Sequence, residues 1–384
     1  MAGLIEPYGG RLVNRMVGQE EAERTEKETD DLPHIHTILD QVYDAEKIGI
    51  GAYSPLEGFM SSSDYENVLS RGVLSNGLPW SMPIILTPTS TEPAFGVGDR
   101  VALTDVDGQV FATVDVEEIF PIDKKKLAQN VYGTTDTSHP NVAELPLLGD
   151  RSIGGRLRLL RRLRLPSVKH ELTPNETREY FSSKGWQRVA GYQARNPPHT
   201  AHEYIQRVTL EREDIDGLFI QPIVGKLKKG DYKPEIIMRA YEAFTSNYYT
   251  TERVLLGSLS IAMRYAGPKA VLFYAIIRRN YGCSHYIVGR DQAGVGSFYD
   301  PYAAHRIFDQ FDVGVTPLRY KESFYCLKCG TMASSKVCPH KEEDRLNVSQ
   351  TKIRRMLAGG EKIPSEILRP EVAKILSEPD VFVQ

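Results

Sequence analysis

Long apolar runs and an excess of one charge are both missing from this 384-residue chain. No apolar stretch reaches the roughly 18 residues that a membrane-spanning helix needs. The 47 Lys and Arg residues are balanced by 50 Asp and Glu residues, so composition predicts no general attraction to nucleic acid or an anionic membrane. The N-terminus lacks the basic segment and apolar core of a secretory signal. We therefore expect a cytoplasmic protein.

Cysteine is also scarce, and its distribution is uneven. Only four cysteines occur, and three of them fall within thirteen residues. In a large cytosolic chain such clustering indicates a metal site rather than a disulfide framework. Cys326, Cys329, Cys338 and His340 would complete a closed, structural tetrahedral zinc site, whereas a catalytic zinc would keep an open position. Reduced thiols without a metal are the alternative, and Cys283, which lies far from the cluster in sequence, is expected to be an unliganded thiol.

The chain has no Walker-type phosphate loop, internal repeat or coiled-coil heptads, and its pattern changes along its length. Residues 1–166 carry short β-prone runs, and Asp107-Gly108 between two of them predicts a hairpin. The stretch 156–165 alternates basic and apolar residues, which favours a half-solvated strand over a nucleic-acid patch.

Strands alternate with helices in residues 167–311, which predicts a parallel sheet. Helices are expected from Thr173 onward and over three further segments. These segments are residues 234–244, 252–265 and 268–281. Residues 312–384 are expected to form a smaller C-terminal unit that holds the cysteine cluster.

A first chemical motif follows the strand that ends at Tyr192. Asn196 is predicted to cap a helix that runs to about Glu213. His199 and His202 would then lie on one face of its first turn, where free N–H groups favour anions. The motif therefore predicts a phosphate or sulfate site. The alternative is a surface helix with two incidental histidines.

Two further motifs carry glycine or a capping serine. Three glycines fall within residues 289–296, after the next predicted strand, and allow a backbone to approach a ligand closely. Arg290 and Asp291 would lie beside the first motif if the sheet is parallel, although a tight turn with a structural Arg–Asp pair is the alternative. Ser349 is predicted to be a helix N-cap, and phosphate binding is the alternative hypothesis.

Together these residues resemble the sulfate adenylyltransferase (ATP sulfurylase) family, in its zinc-bearing bacterial and archaeal branch. The resemblance covers nearly the whole chain. It is carried by residues 7–15, 53–60, 193–196, 280–294 and 369–373. Three positions depart from the family pattern: Ala194 replaces a common Thr, Gln292 replaces His, and Gln350 replaces Gly between Ser349 and Thr351.

The resemblance implies an α/β architecture with a PUA-like N-terminal domain, a Rossmann-like nucleotidylyltransferase domain and a zinc-containing C-terminal domain. It implies in-line attack of sulfate on the α-phosphorus of ATP, giving adenosine 5′-phosphosulfate and pyrophosphate. Mg²⁺ would accompany ATP, and the chain would form a homodimer without nucleic-acid or membrane partners. An adenylyltransferase with another acceptor, or an RNA-binding protein using the basic stretch 151–164, are the alternatives.

The resemblance also assigns roles to residues. Sulfate would contact Gln193, Arg195 and the Ala293 backbone, and Arg195 and Asn196 would stabilise the transition state, with His199 and His202 on the phosphates. The residues expected to hold ATP are Gln193, Ala194, Arg195, Asn196, His199, His202, Gly289, Arg290, Asp291 and Gln292.

Overall fold

The computed structural model describes residues 3–88, 95–163, 170–226 and 229–383. Three β-sheets lie within these ranges. No helix in this part of the chain is long and apolar enough to cross a membrane. The predicted end of the first domain at Pro166 lies outside the described residues.

The first sheet is formed by the N-terminal residues. Its strands are β1 (His34–His36), β2 (Gly58–Phe59), β3 (Arg100–Thr104), β4 (Val110–Pro121) and β5 (Arg151–Leu159). Their order is β1-β3-β4-β5-β2, and every pair except β1–β3 is antiparallel. The predicted hairpin is confirmed, because Gly108 takes a φ of +78° between β3 and β4 and the Asp105 carboxylate accepts from the backbone of Asp107. β5 confirms the predicted strand as far as Leu159, residues 160–163 are irregular, and residues 164–165 lie outside the described ranges.

Five helices accompany this sheet. They are α1 (Gln19–Glu28), α2 (Leu39–Gly49), α3 (Ser62–Arg71), α4 (Lys124–Tyr132) and α5 (Pro140–Glu144). α2 lies against β5 and is almost wholly buried.

The second sheet is entirely parallel, as the alternation of strands and helices predicted. Its strands are β6 (Val189–Tyr192), β7 (Gly217–Ile220), β8 (Val254–Leu256), β9 (His285–Val288) and β10 (Thr316–Arg319). The order β10-β9-β6-β7-β8 reverses direction between β6 and β9. In open parallel sheets this switch point is where ligands bind, beyond the carboxyl ends of the strands.

One helix precedes the parallel strands, and others connect them. They are α6 (Pro174–Ser183), α7 (Thr200–Leu210), α8 (Pro234–Tyr248), α9 (Pro268–Asn280) and α10 (Ala303–Arg306). The predicted start at Thr173 is confirmed, since its hydroxyl accepts from the backbone of Glu176 and the Glu176 carboxylate accepts from the backbone of Thr173. α9 confirms the predicted helix at 268–281, with Pro268 in its first turn.

The helix predicted over residues 252–265 is wrong. The chain forms a short 3₁₀ turn, then β8, and then an irregular buried segment that pairs with residues 222–224. Buried carboxylate oxygens of Glu171 accept from the backbone N–H of Ser260 in this segment. Apolar residues at helical spacing therefore belong to a buried extended run, which spacing alone does not distinguish from a helix.

The C-terminal residues build a small antiparallel sheet and two helices. The elements are β11 (Ser323–Cys326), β12 (Thr331–Ser334), β13 (Arg345–Leu346), α11 (Gln350–Ala358) and α12 (Pro370–Leu376). The sheet order is β12-β11-β13, and α12 packs against α8. β11 ends at Cys326 and the turn to β12 carries Cys329, so the hairpin brings two thiols together.

Buried ion pairs join α2 to the part of the chain that forms the parallel sheet. Lys47 is fully buried and its ammonium lies 2.9 Å from the Glu171 carboxylate, which also binds the Ser260 backbone. Asp44 pairs with Arg264, and both side chains are largely buried. A buried ion pair is tolerated when hydrogen bonds satisfy its remaining atoms, as the Ser260 amide does for Glu171. The segment 258–264 is thus anchored to the N-terminal region.

Candidate active site

A cavity of about 420 Å³ opens at the switch point of the parallel sheet. The loops that follow β6 and β9 form two of its walls, and residues 321–323 and 348–350 close a third side. All eleven residues that the sequence singled out for substrate contact line it. They are Gln193, Ala194, Arg195, Asn196, His199, His202, Gly289, Arg290, Asp291, Gln292 and Ala293.

The loop after β6 enters α7 later than the sequence predicted. Asn196 is not the N-cap; the cap is His199, whose Nδ1 lies 3.3 Å from the backbone N–H of His202. Pro197 and Pro198 explain the difference, because the residue before a proline is disfavoured in the α-region. The Asn196 side chain instead accepts a hydrogen bond from Arg354 of α11 at 3.0 Å.

The two histidines face each other in the first turn of α7. Their ring centroids are 3.6 Å apart with an interplanar angle of 16°, so the rings are stacked. Burial lowers the pKa of His202 to about 4. Burial, and secondarily His202, lowers the pKa of His199 well below its ordinary value. Both imidazoles are therefore neutral at pH 7, and each can offer an N–H donor but no full charge.

Arg195 is held by an aromatic side chain that sequence patterns did not indicate. Its Nη1 donates to the Tyr265 hydroxyl at 2.5 Å, and its guanidinium lies 4.9 Å from the centre of the same ring. The Tyr265 backbone is fixed in turn by the N-terminal region: its N–H donates to Asn141 Oδ1 at 3.0 Å, and its carbonyl lies 2.9 Å from His139 Nε2. No short-range signal could have found this contact, since 70 residues separate Arg195 from Tyr265.

The loop after β9 contains two residues with left-handed backbone and leaves free space beside Gly289. Asp291 and Ala293 have φ values of +53° and +57°, an uncommon conformation for residues that carry a side chain. A Cβ built on Gly289 would meet no atom within 4 Å, so the space before this residue is free for a ligand. Burial raises the pKa of Asp291. The alternative of a structural Arg290–Asp291 ion pair is not what the chain forms, because Arg290 pairs with Glu322 at 2.9 Å.

The start of α11 forms the remaining wall. Ser349 caps this helix, as predicted, by accepting from the backbone N–H of Lys352 at 3.3 Å. Gln350 donates to the Pro197 carbonyl at 2.8 Å, and Arg354 reaches Asn196. The sequence analysis did not assign a role to Gln350 or Arg354. Their spacing of four residues on one helix face was the available signal.

The cysteine cluster lies apart from this cavity and has the geometry of a metal site. Ligand atoms of Cys326, Cys329, Cys338 and His340 all lie within 4.8 Å of one another. His340 Nδ1 is 3.2–3.6 Å from the three sulfurs, and the Cys329 and Cys338 sulfurs are 3.9 Å apart. A tetrahedral zinc with bonds of about 2.3 Å to sulfur and about 2.0 Å to nitrogen separates its ligands by roughly 3.5–3.8 Å. The four residues therefore fit a tetrahedral metal ion.

Comparison with known proteins assigns both halves of the chain. The family described as ATP-sulfurylase matches residues 168–379, and the PUA-like domain family matches residues 5–162. A sulfate adenylyltransferase of Thermococcus onnurineus is 43% identical over 372 residues, covering 97% of both chains. One from Staphylothermus marinus is 46% identical over 380 residues, covering 98% of this chain and 99% of the relative.

The fold is also found among solved structures. The hexameric APS kinase from Thiobacillus denitrificans superposes with a TM-score of 0.77 at 27% identity, over 97% of this chain and 68% of that one. With its motif loops, its domain matches and its full-length relatives, the chain belongs to the ATP-sulfurylase family, whose curated members are named sulfate adenylyltransferase.

Proposed function

We propose that this protein transfers the adenylyl group of ATP to sulfate and releases pyrophosphate, in a reversible reaction. A sulfate oxygen would attack the α-phosphorus in line with the departing pyrophosphate. The observation that carries this proposal is the convergence of both motif loops on one cavity at the switch point of the sheet. The names of the full-length relatives point to the same reaction.

The reaction needs positioning and charge stabilisation more than acid–base chemistry. Sulfate is fully ionised near neutral pH, so it needs no general base before it attacks. The two substrates are anions that repel each other, and the cavity wall offers guanidinium, imidazole and amide donors to hold both. Neutral His199 and His202 would donate hydrogen bonds to phosphate oxygens.

Each residue is given the role that its position in the cavity supports. Gln193, Arg195 and the Ala293 backbone would bind sulfate, and Arg195 with Asn196 would stabilise the transition state. The residues proposed for ATP are Gln193, Ala194, Arg195, Asn196, His199, His202, Gly289, Arg290, Asp291 and Gln292. Mg²⁺ would enter with ATP as part of the substrate, bridging phosphate oxygens.

The remaining proposals concern architecture. We assign a structural zinc to Cys326, Cys329, Cys338 and His340, since four protein ligands leave no open position. We assign residues 1–166 to the PUA-like domain, 167–311 to the catalytic domain and 312–384 to the zinc-containing domain. A homodimer is proposed from the family branch, and sedimentation velocity would measure it.

The test is ATP formation from adenosine 5′-phosphosulfate and pyrophosphate with Mg²⁺, which is the chemically downhill direction. Arg195→Ala should lose about 3 kcal/mol of transition-state stabilisation, or roughly a hundredfold in kcat/KM, by comparison with other preorganised donors. Arg212→Ala is the matched control, because Arg212 is an exposed arginine paired with Asp214 outside the cavity.

Robust ATP production by the wild type and the control, but not by Arg195→Ala, would support both the reaction and the site. Near-normal turnover by Arg195→Ala would overturn the site. Failure of the folded wild type to make ATP would direct the search to other acceptors. In that search, sulfate dependence and unproductive replacement by molybdate are the discriminating measurements.

A further inference from the structure

We infer that Tyr286 and Gln292 are positioning residues, which together fix the orientation of the Gln193 side-chain amide so that its NH₂ group faces the anion. The inference rests on the proposed function, because it explains how Gln193 can bind sulfate. The observation is a chain of three hydrogen bonds that runs from the loop after β9 to the loop after β6.

The first hydrogen bond fixes which end of the Gln292 amide donates and which end accepts. The backbone N–H of Gly289 can only donate, and it lies 3.0 Å from Oε1 of Gln292. The oxygen of this amide is therefore engaged, and its NH₂ group points the other way. That NH₂ group lies 2.8 Å from the Tyr286 hydroxyl, which must accept from it because an amide NH₂ cannot accept.

The next hydrogen bond fixes the donor and acceptor roles of Tyr286 and Gln193. The Tyr286 hydroxyl accepts from Gln292, so its own proton is left for another acceptor. Oε1 of Gln193 lies 3.3 Å away and takes that proton. Tyr286 is fully buried, so bulk water does not compete for its hydroxyl. The donor and acceptor of each hydrogen bond are thus fixed by the preceding bond, starting from the Gly289 backbone N–H, which can only donate.

The orientation of the Gln193 amide decides which of its groups faces a ligand in the cavity. Gln193 lines it, and its Oε1 is turned to Tyr286, so the amide end that remains for a ligand is the NH₂ group. Sulfate oxygens accept hydrogen bonds and do not donate them at neutral pH. A reversed amide would present oxygen lone pairs to an anion. These three hydrogen bonds, from Gly289 through Gln292 and Tyr286 to Gln193, are called the relay. The relay holds Gln193 as a donor before the substrate binds, so no free energy is spent on reorienting its amide.

The same argument explains what the side chain at position 292 must be able to do. It has to accept from Gly289 and donate to Tyr286 at the same time, and a glutamine amide does both without gaining or losing a proton. A glutamate of the same shape could only accept when ionised. The Tyr286 proton would then turn toward position 292, and the orientation of Gln193 would no longer be set.

The test measures pyrophosphate release against sulfate concentration for Tyr286→Phe, Gln193→Leu and the double variant. Tyr286→Phe should raise KM for sulfate about tenfold with a smaller change in kcat, as expected when a hydrogen bond to a charged ligand is weakened in ground and transition states alike. In the Gln193→Leu background the same substitution should have no further effect, because it acts only through Gln193.

Tyr65→Phe is the matched control. Tyr65 is buried in the N-terminal region, and its hydroxyl has no hydrogen-bond partner among the described residues. This variant should keep the wild-type KM. Gln292→Glu, the isosteric change that turns the Tyr286 proton away from Gln193, should raise KM for sulfate at least as much as Tyr286→Phe does.

The outcomes separate this inference from the proposed function. An active wild type whose KM for sulfate is unchanged by Tyr286→Phe would overturn the relay and leave the reaction intact. Equal effects of Tyr286→Phe with and without Gln193 would also overturn it, since they indicate a general loss of packing. A wild type that releases no pyrophosphate with sulfate would refute the proposed function and the relay with it.

Discussion

Arg195 and Tyr265 make two contacts at once: the guanidinium donates to the tyrosine hydroxyl at 2.5 Å and lies against its ring. A hydroxyl acceptor and a ring face together restrict a side chain that is otherwise long and flexible. The proposed transition-state donor is thus oriented before substrate binds.

Removing the hydroxyl should therefore reduce turnover. We expect Tyr265→Phe, which keeps the ring but loses the acceptor, to lower kcat/KM about tenfold, the cost of a hydrogen bond to a charged group. Steady-state ATP formation measures this. Tyr249→Phe is the control, because the Arg207 guanidinium lies 5.3 Å from the centre of the Tyr249 ring and both residues lie outside the cavity. Unchanged kinetics in Tyr265→Phe would mean that Arg195 needs no such support.

The N-terminal region should affect catalysis through Asn141. Its side chain accepts from the Tyr265 backbone N–H and lies 3.3 Å from the Met263 carbonyl, so Asn141→Ala frees the segment that holds Arg195. We expect a loss of stability of about 1 kcal/mol and a severalfold fall in kcat/KM. Thermal melts and kinetics on the same preparation would measure both. A stability loss without a kinetic effect would limit Asn141 to a structural role.

Acid should destabilise the protein through the stacked histidines. The pKa of His202 is lowered by burial to about 4, and that of His199 is also lowered, from an ordinary value of 6.5. Between about pH 6.5 and pH 4 the unfolded chain binds more protons than the native one, so stability falls as pH decreases. The part due to His202 is roughly 3 kcal/mol.

Denaturant unfolding at a series of pH values measures this slope. His202→Gln cannot titrate, and we expect it to flatten the slope between pH 6.5 and pH 4. An equally steep slope in His202→Gln would assign the acid sensitivity to other groups.

Metal removal should unfold the C-terminal hairpin. The wild type is expected to carry one zinc per chain by elemental analysis, and Cys338→Ser should lose the metal together with thermal stability. Cys283→Ala is the control, because this buried thiol is not part of the cluster. A wild type with no bound metal and undiminished stability in the presence of chelator would refute the zinc assignment.

The location of the candidate site followed from sequence because it depends on topology. A parallel sheet places the ends of its strands along one edge, so Gln193 and Gly289 had to meet if their strands were neighbours. The capping serine Ser349 was also predictable, because caps depend on residues three positions apart.

What escaped prediction depends on distant residues. The start of α7 moved to Thr200 because Pro197 and Pro198 favour extended backbone and Arg354 binds Asn196. Tyr265 lies in a segment whose apolar spacing resembled a helix, although its backbone is held by Asn141 from the N-terminal region. Contacts of this kind leave no local pattern to read.

The buried pairs Lys47–Glu171 and Asp44–Arg264 bear on how the molecule comes apart. Separating the N-terminal region from the catalytic region would break both buried pairs, leave Lys47 with Glu46 alone, and expose the hydrophobic core that the two regions share. The two regions that match separate families should therefore melt as a single calorimetric unit. A fragment that begins after residue 166 should expose Glu171 and Arg264 and fail to reach the native state.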